Sequence, residues 1–156
     1  MSGTGDSGGA PIRVLFVCTG NSARSIMAEA LLRDRGGADF EVHSAGTHPK
    51  GINPLTVRVL EEAGLPTAGL SSQSVNEYLG QAFDYVITVC DQAREACPLF
   101  PGSHASMHWG YDDPAAVEGT EEERLRAFRA VLTQMASRIA TFVTIARRES
   151  AVTMGR

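Results

Sequence analysis

The sequence lacks any uninterrupted apolar run near the ~18 residues that a membrane-spanning helix needs. It also lacks an excess of basic residues, since 14 Lys and Arg stand against 18 Asp and Glu, for a formal net charge of -4. Nucleic-acid binding requires a basic face, so this charge argues against that class. Residues 1–11 show no basic patch followed by an apolar stretch, as a secretory signal would. We therefore expect a cytoplasmic protein with neither a membrane nor a nucleic-acid partner.

Cysteine is scarce, and Cys18, Cys90 and Cys97 are the only three. This number excludes a disulfide-stapled miniprotein and allows at most one intramolecular disulfide at a time. In a cytoplasmic chain a functional set of thiols is catalytic or redox-active, whereas an isolated cysteine packs as a small apolar residue. Structural zinc favours close pairs and four ligands. We expect no metal site, because the cysteines share no ligand spacing with His43, His48, His104 and His108.

The remaining composition is ordinary for one globular domain, with 43% hydrophobic and 21% charged residues in a chain of 156. Residues 1–11 are rich in glycine and serine and are expected to form a flexible tail. The sequence predicts a single catalytic α/β domain over 12–148 and a C-terminal tail over 149–156.

Apolar runs bounded by turn residues predict four buried strands, at 12–17, 40–44, 85–89 and 106–109. Helical patterns between them cover 23–35 and 53–63, and a weaker one covers 75–79. A last helix begins after a Thr120/Glu123 capping box, with a core face made by Leu125, Phe128, Leu132, Met135, Ile139 and Phe142. Alternating strands and helices predict a four-stranded parallel sheet with helices on both faces, a three-layer sandwich. Ligands of such folds bind at the carboxyl ends of the strands.

The loop that follows the first strand carries the chemistry. Cys18 and Arg24 stand six residues apart, between a strand and a helix. Such a loop points backbone N–H groups inward at a helix N-terminus, where an anion or a thiolate is stabilised. Arginine offers a planar fork for two oxygens of a tetrahedral oxyanion. We expect Ser25 to hydrogen-bond the thiolate and Asn21 to adopt the left-handed conformation that the loop requires. The predicted oxyanion-binding set is Thr19, Gly20, Asn21, Ser22, Ala23, Arg24 and Ser25.

The stretch 14–31 (VLFVCTGNSARSIMAEAL) resembles the low molecular weight protein tyrosine phosphatases, and especially their arsenate reductase branch. Further matches extend from residue 12 to about 139 and include HWGYDDP at 108–114 and the two downstream cysteines. The resemblance implies Asp113, which precedes Pro114, as general acid. Asp112 is the rival, and the Asp-Pro match favours Asp113.

The resemblance further implies a thiol relay. Cys18 forms an adduct with arsenate, Cys90 displaces arsenite, and Cys97 then forms a disulfide with Cys90 that thioredoxin reduces. Glutaredoxin-type donors are the alternative reductants. No bound cofactor is implied, and phosphate and sulfate are expected to compete with arsenate. Some family members bind potassium, and Asn21, Glu29 and Ser44 match that site, but 74–77 has no aspartate where the last ligand aligns.

The spacing of the second and third cysteines predicts a movement. The sequence predicts a helix between Cys90 and Cys97, and seven residues of helix span about 10.5 Å along the axis. A disulfide needs Cα atoms within about 7 Å, so this segment has to unwind before the pair can join.

Two alternatives to the reductase use the same loop. A phosphatase acting on phosphotyrosine or small phosphomonoesters needs Cys18, Arg24 and Asp113 but neither further cysteine. Against it, Ala115 and Ala116 stand where tyrosine phosphatases of this type carry aromatic residues that line the substrate cleft. A non-enzymatic oxyanion-binding protein is the other alternative, and it would keep its function after Cys18→Ser.

Overall fold

The computed structural model describes residues 9–98, 100, 102 and 105–154. It contains one sheet of four strands, β1 (Ile12–Cys18), β2 (Phe40–Gly46), β3 (Tyr85–Thr88) and β4 (Ala105–His108). The strand order is β2-β1-β3-β4, and every neighbouring pair is parallel. The four-stranded parallel sheet predicted from the sequence is therefore confirmed.

Four α-helices accompany the sheet, α1 (Arg24–Gly36), α2 (Pro54–Glu62), α3 (Asp91–Ala96) and α4 (Glu121–Met154). Single 3₁₀ turns cover Gly37–Asp39, Val75–Tyr78 and Pro114–Ala116. Helix α4 packs against α1 and α2, whereas α3 lies against β1 and β3. The helix predicted at 75–79 is only a 3₁₀ turn, because Ser74 caps its start and Gly80, with a φ of 86°, follows closely.

The core lies on both faces of the sheet. Residues 14–17 of β1 are fully buried, although successive strand residues point to opposite faces. Both faces are thus covered, as is usual for a parallel sheet. The predicted core face of α4 is confirmed, since the six apolar side chains that define it are all buried.

Helices α2 and α4 have side-chain caps at their starts, and the cap of α4 is the capping box predicted from the sequence. The Thr120 hydroxyl accepts from the Glu123 N–H at 3.1 Å, and the Glu123 carboxylate accepts from the Thr120 N–H at 2.8 Å. At α2, the Asn53 side chain accepts from the Leu55 N–H at 2.8 Å, and Pro54 occupies the first turn.

The C-terminal end of the domain differs from the prediction. Helix α4 continues to Met154, so the boundary predicted at residue 148 falls inside a helix. No glycine or proline follows residue 148 before Gly155, and the Tyr85 hydroxyl donates a hydrogen bond to Glu149. Residues 1–8 of the predicted N-terminal tail and residues 155–156 of the C-terminal one lie outside the described residues. Among the described helices, none has the length and apolar character to span a membrane.

Candidate active site

Cys18 ends β1 at the carboxyl edge of the sheet, and its side chain faces the loop that leads into α1. The thiol is buried, its Sγ accepts from the Asn21 N–H at 3.2 Å, and it lies 2.8 Å from the Ser25 Oγ. The Ser25 hydroxyl accepts from the Asn21 side chain at 2.8 Å, which leaves its hydrogen to donate to sulfur. Two hydrogen-bond donors therefore meet at the Cys18 sulfur.

Asn21 holds the loop in its unusual conformation. Its φ of 47° lies in the left-handed region, as predicted from the sequence. The side chain is fully buried, and its amide donates to the hydroxyls of Ser25 and Ser44 while its oxygen accepts from the Gln73 N–H. These side-chain contacts hold the loop on its buried side, so the Asn21 side chain acts on the Cys18 sulfur through Ser25, while the Asn21 N–H contacts that sulfur directly.

The loop carbonyls are turned away from the cavity by the segment that follows β2. This segment donates backbone hydrogen bonds of 2.8 to 3.0 Å to four of them, in the pairs Thr47–Cys18, His48–Thr19, Lys50–Gly20 and Asn53–Ser22. In a planar peptide the N–H points opposite to the C=O, so the intervening N–H groups face inward, as an oxyanion requires. Gly46 permits the close approach, because a Cβ there would lie 2.6 Å from the Thr19 carbonyl oxygen.

Arg24 connects the loop to the segment that carries the predicted general acid. One guanidinium nitrogen donates to the Tyr111 carbonyl at 2.9 Å, and another lies 3.7 Å from the Asp113 carboxylate. Asp113 also accepts from the Ala115 N–H at 3.0 Å. Of the two rival aspartates, Asp113 lines the cavity above Cys18 and Asp112 does not.

A cavity of about 260 Å³ opens above the loop. Its walls are formed by Cys18, Thr19, Gly20, Ser22, Ala23, Arg24, His48, Lys50, Gln92 and Asp113. Of the predicted oxyanion-binding residues, only Asn21 and Ser25 are outside this lining, because both are buried beneath the loop. Sequence reasoning missed His48, Lys50 and Gln92.

Lys50 was missed because only the fold brings it to the loop. Its aliphatic chain lies across Gly20, where an added Cβ would be 2.8 Å from the lysine Cε. Lys50 therefore adds a second positive charge to a cavity that already holds Arg24. One sequence signal existed, because Lys50 follows closely after the strand that neighbours β1.

Cys90 lies beside the same loop. It follows β3, is buried, and has its Sγ 3.3 Å from the Thr19 Oγ1. The same threonine hydroxyl lies 3.3 Å from the Gln92 side-chain oxygen. The structure thus brings the second cysteine against the residue next to Cys18.

Helix α3 separates the second and third cysteines, since Cys90 caps its N-terminus and Cys97 its C-terminus. The helix predicted between them is confirmed. Cys97 is only partly buried, and this partial burial raises the pKa of its thiol. As long as α3 is formed, Cys97 lies at the opposite end of this helix from Cys90.

The three residues that match the potassium site are neighbours, and hydrogen bonds connect them. Ser44 bridges the other two, since it accepts from the Asn21 amide and donates to the Glu29 carboxylate at 2.6 Å. The charge of Glu29 is already balanced by Arg33, 2.5 Å away, and burial raises the pKa of Glu29. Across the described part of the chain, which omits His104, no three His, Cys, Asp or Glu side chains are grouped as metal ligands.

The family model of the low molecular weight phosphotyrosine protein phosphatases matches residues 13–152. The chain belongs to this phosphatase family. An arsenate reductase of Halalkalibacterium halodurans is 40% identical to this family member over 129 residues, which are 83% of this chain and 93% of the relative.

Solved arsenate reductases have the same fold. One of them, in a phosphate-binding state, has a TM-score of 0.71 and 26% identity, with coverage of 85% of this phosphatase-family chain and 97% of the other. A thioredoxin-dependent arsenate reductase of Corynebacterium glutamicum has a TM-score of 0.62 and 30% identity, with coverage of 85% and 63%.

Proposed function

We propose that this phosphatase-family member is an arsenate reductase that uses Cys18, Cys90 and Cys97 in turn and is reduced by thioredoxin. In the first step the Cys18 thiolate attacks arsenic, and one arsenate oxygen takes up protons and leaves as water. Asp113 stands at the cavity wall to supply a proton. Arg24 and the inward N–H groups hold the remaining oxygens.

Reduction occurs in the second step. The Cys90 thiolate attacks the Cys18 sulfur, so the sulfur–sulfur bond forms while the sulfur–arsenic bond breaks. The electron pair of that bond stays on arsenic, which becomes As(III) and leaves as arsenite. Cys97 then attacks Cys90 and releases the Cys18 thiolate. The two electrons of a dithiol such as reduced thioredoxin reopen the Cys90–Cys97 disulfide.

One observation carries this proposal, namely the contact of the Cys90 sulfur with Thr19 in the loop between Cys18 and Arg24, here called the oxyanion loop. In a phosphatase a buried cysteine there would serve only as a small apolar residue, whereas the relay requires a second sulfur beside Cys18. The similarity to arsenate reductases over most of the chain supports the same conclusion. The alanines at 115 and 116 give the cavity no aromatic wall for a phosphotyrosine ring. We propose a cytoplasmic location, because a relay that thioredoxin recharges needs a compartment that keeps thiols reduced.

Three serine substitutions test the relay, with a single pulse of arsenate followed by mass spectrometry of the linked peptides. Cys18→Ser should lose all activity, because a serine hydroxyl is not ionised near neutral pH. Cys90→Ser should form the arsenate adduct and stop. Cys97→Ser should release one equivalent of arsenite and accumulate the Cys18–Cys90 disulfide.

Hydrolysis of an activated aryl phosphate is the matched control. It uses Cys18, Arg24 and Asp113 only, so the Cys90→Ser and Cys97→Ser enzymes should retain it. Sustained turnover of Cys97→Ser with thioredoxin or glutaredoxin would refute the relay. Phosphomonoester hydrolysis without any arsenate reduction by the wild type would favour the phosphatase instead.

A further inference from the structure

His108, the last residue of β4, has two polar partners that lie close to Cys90 along the chain. Its Nδ1 is 2.8 Å from the Thr88 hydroxyl, and its Nε2 is 2.9 Å from the Asp91 carboxylate. Thr88 ends β3 two residues before Cys90, and Asp91 begins α3 directly after it. One imidazole ring therefore joins the two backbone segments that flank the second cysteine.

The ring is held in place by its surroundings. Thr88 and His108 are paired in the sheet register, and the Trp109 N–H donates to the Thr88 carbonyl at 2.8 Å. Gly110 leaves the outer side of the ring open, because a Cβ at that position would lie 3.3 Å from Nε2. The imidazole is mostly buried, whereas the Asp91 side chain is exposed, so the better packed partner of this contact is the ring.

The direction of both hydrogen bonds follows from which of the partner groups can donate and which can only accept. An ionised carboxylate only accepts, so Nε2 carries a hydrogen and donates to Asp91. In the neutral ring Nδ1 then accepts from the Thr88 hydroxyl, and in the protonated ring that hydroxyl turns to the Met107 carbonyl, 3.4 Å away. In both forms the bond to Asp91 persists.

We propose that His108 is a positioning residue of the thiol relay, because it ties the start of α3 to the sheet and so holds Cys90 against the oxyanion loop. This inference rests on the relay proposed above. It concerns two consecutive steps, the attack of Cys90 on Cys18 and the attack of Cys97 on Cys90. No part of His108 lines the cavity above Cys18, so it acts through Cys90 only.

The hydrogen bond between His108 and Asp91, here called the tie, affects these two steps in opposite directions. The first attack benefits from it, because Cys90 stays at the loop next to Cys18. The second attack is opposed by it, because α3 has to unwind before Cys97 reaches Cys90. A residue that merely stabilises the fold would change both steps in the same direction.

The experiment uses His108→Ala and Asp91→Ala, singly and together, with Glu95→Ala as the control on the same helix. The first step is measured as arsenite release after one arsenate pulse in a Cys97→Ser background. The second is measured in the presence of Cys97 as the conversion of the Cys18–Cys90 disulfide into Cys90–Cys97, by rapid alkylation and mass spectrometry. Hydrolysis of an aryl phosphate monitors Cys18 chemistry alone.

We expect each single variant to slow arsenite release and to speed disulfide transfer, by about threefold to tenfold, as loss of one such hydrogen bond implies. The double variant should match the singles, because both substitutions remove the same contact. Aryl phosphate hydrolysis should stay at the level of Glu95→Ala. Asp91→Ala changes an exposed side chain and tests the tie even if His108→Ala folds poorly.

Three results would overturn the inference while leaving the relay intact. The first is that the single variants carry out both steps at wild-type rates. The second is that both steps and aryl phosphate hydrolysis slow together. The third is that the effects of His108→Ala and Asp91→Ala add in the double variant. Absence of any Cys18–Cys90 disulfide in the Cys97→Ser protein would instead refute the relay itself, and this inference with it.

Discussion

The substitution Arg24→Lys tests whether the site needs the shape of the guanidinium or only its charge. Arg24 has one hydrogen bond in the structure and one proposed task. One nitrogen donates to the Tyr111 carbonyl at 2.9 Å, which holds the segment that leads to Asp113, and the group also lines the cavity for the oxyanion. Lysine keeps the positive charge but has one nitrogen, so it cannot do both.

The size of the effect follows from the bonds that are lost. Lysine can keep a single contact to the anion, so the second arm of the fork and the tether to Tyr111 both disappear. Each is a charge-assisted hydrogen bond worth about 1.5 to 3 kcal/mol, which sums to about 3 to 6 kcal/mol. At about 1.4 kcal/mol for each factor of ten, kcat/KM for arsenate should fall by at least about 100-fold.

The assay is arsenate-dependent NADPH oxidation, coupled through thioredoxin and its reductase. Arg58→Lys is the matched control, because Arg58 forms one exposed ion pair with Glu121 and should change kcat/KM by less than about twofold. If Arg24→Lys keeps kcat/KM within about threefold of the wild type, Arg24 is not the oxyanion ligand, and the assignment of the loop is wrong.

Two further predictions follow from residues around the loop. Lys50→Gln removes a cation from the cavity wall, so the KM for arsenate should rise about fivefold with little change in kcat, while Lys50→Arg keeps both. An equal effect of Lys50→Gln at high salt would contradict this electrostatic role. Burial raises the pKa of Glu29 above its unfolded value, so ionisation costs stability as the pH rises through that pKa. Glu29→Gln should therefore be the more stable protein in thermal unfolding at about pH 7, and its advantage should shrink towards about pH 4; a wild type that is more stable at about pH 7 would refute this.

The sequence predicted the loop well because its chemistry is local. A cysteine after a buried strand and an arginine at the next helix start define the geometry within seven residues. The left-handed Asn21 and the contact of Ser25 with the Cys18 sulfur follow from the same short segment.

What the sequence did not predict depends on contacts between distant segments. Lys50 reaches the loop only because the chain after β2 runs parallel to the loop and donates a series of backbone hydrogen bonds to it. The partner of Glu29 was likewise missed. Arg33, four residues later on α1, forms an ion pair with the Glu29 carboxylate, and Glu29 is one of the residues that match the potassium site of the family. The end of the domain was predicted too early, at residue 148, although no glycine or proline follows before Gly155. The tertiary contact of Tyr85 with Glu149, which holds the last turns of α4, leaves no pattern in the sequence.

Helix α3, which lies between Cys90 and Cys97, shows why such distant contacts matter for the proposed function. Helix α3 has six residues, whereas isolated helices shorter than about 12 residues are marginal in water. Its helical state therefore depends on tertiary contacts, namely the buried Ala93, the contact of Gln92 with Thr19, and the tie of Asp91 to His108. Few contacts have to break for the helix to unwind, so the movement that the cysteine spacing demands is energetically small. A longer helix between Cys90 and Cys97 would hold the two sulfurs apart more firmly, and the disulfide would then pass from Cys18 more slowly.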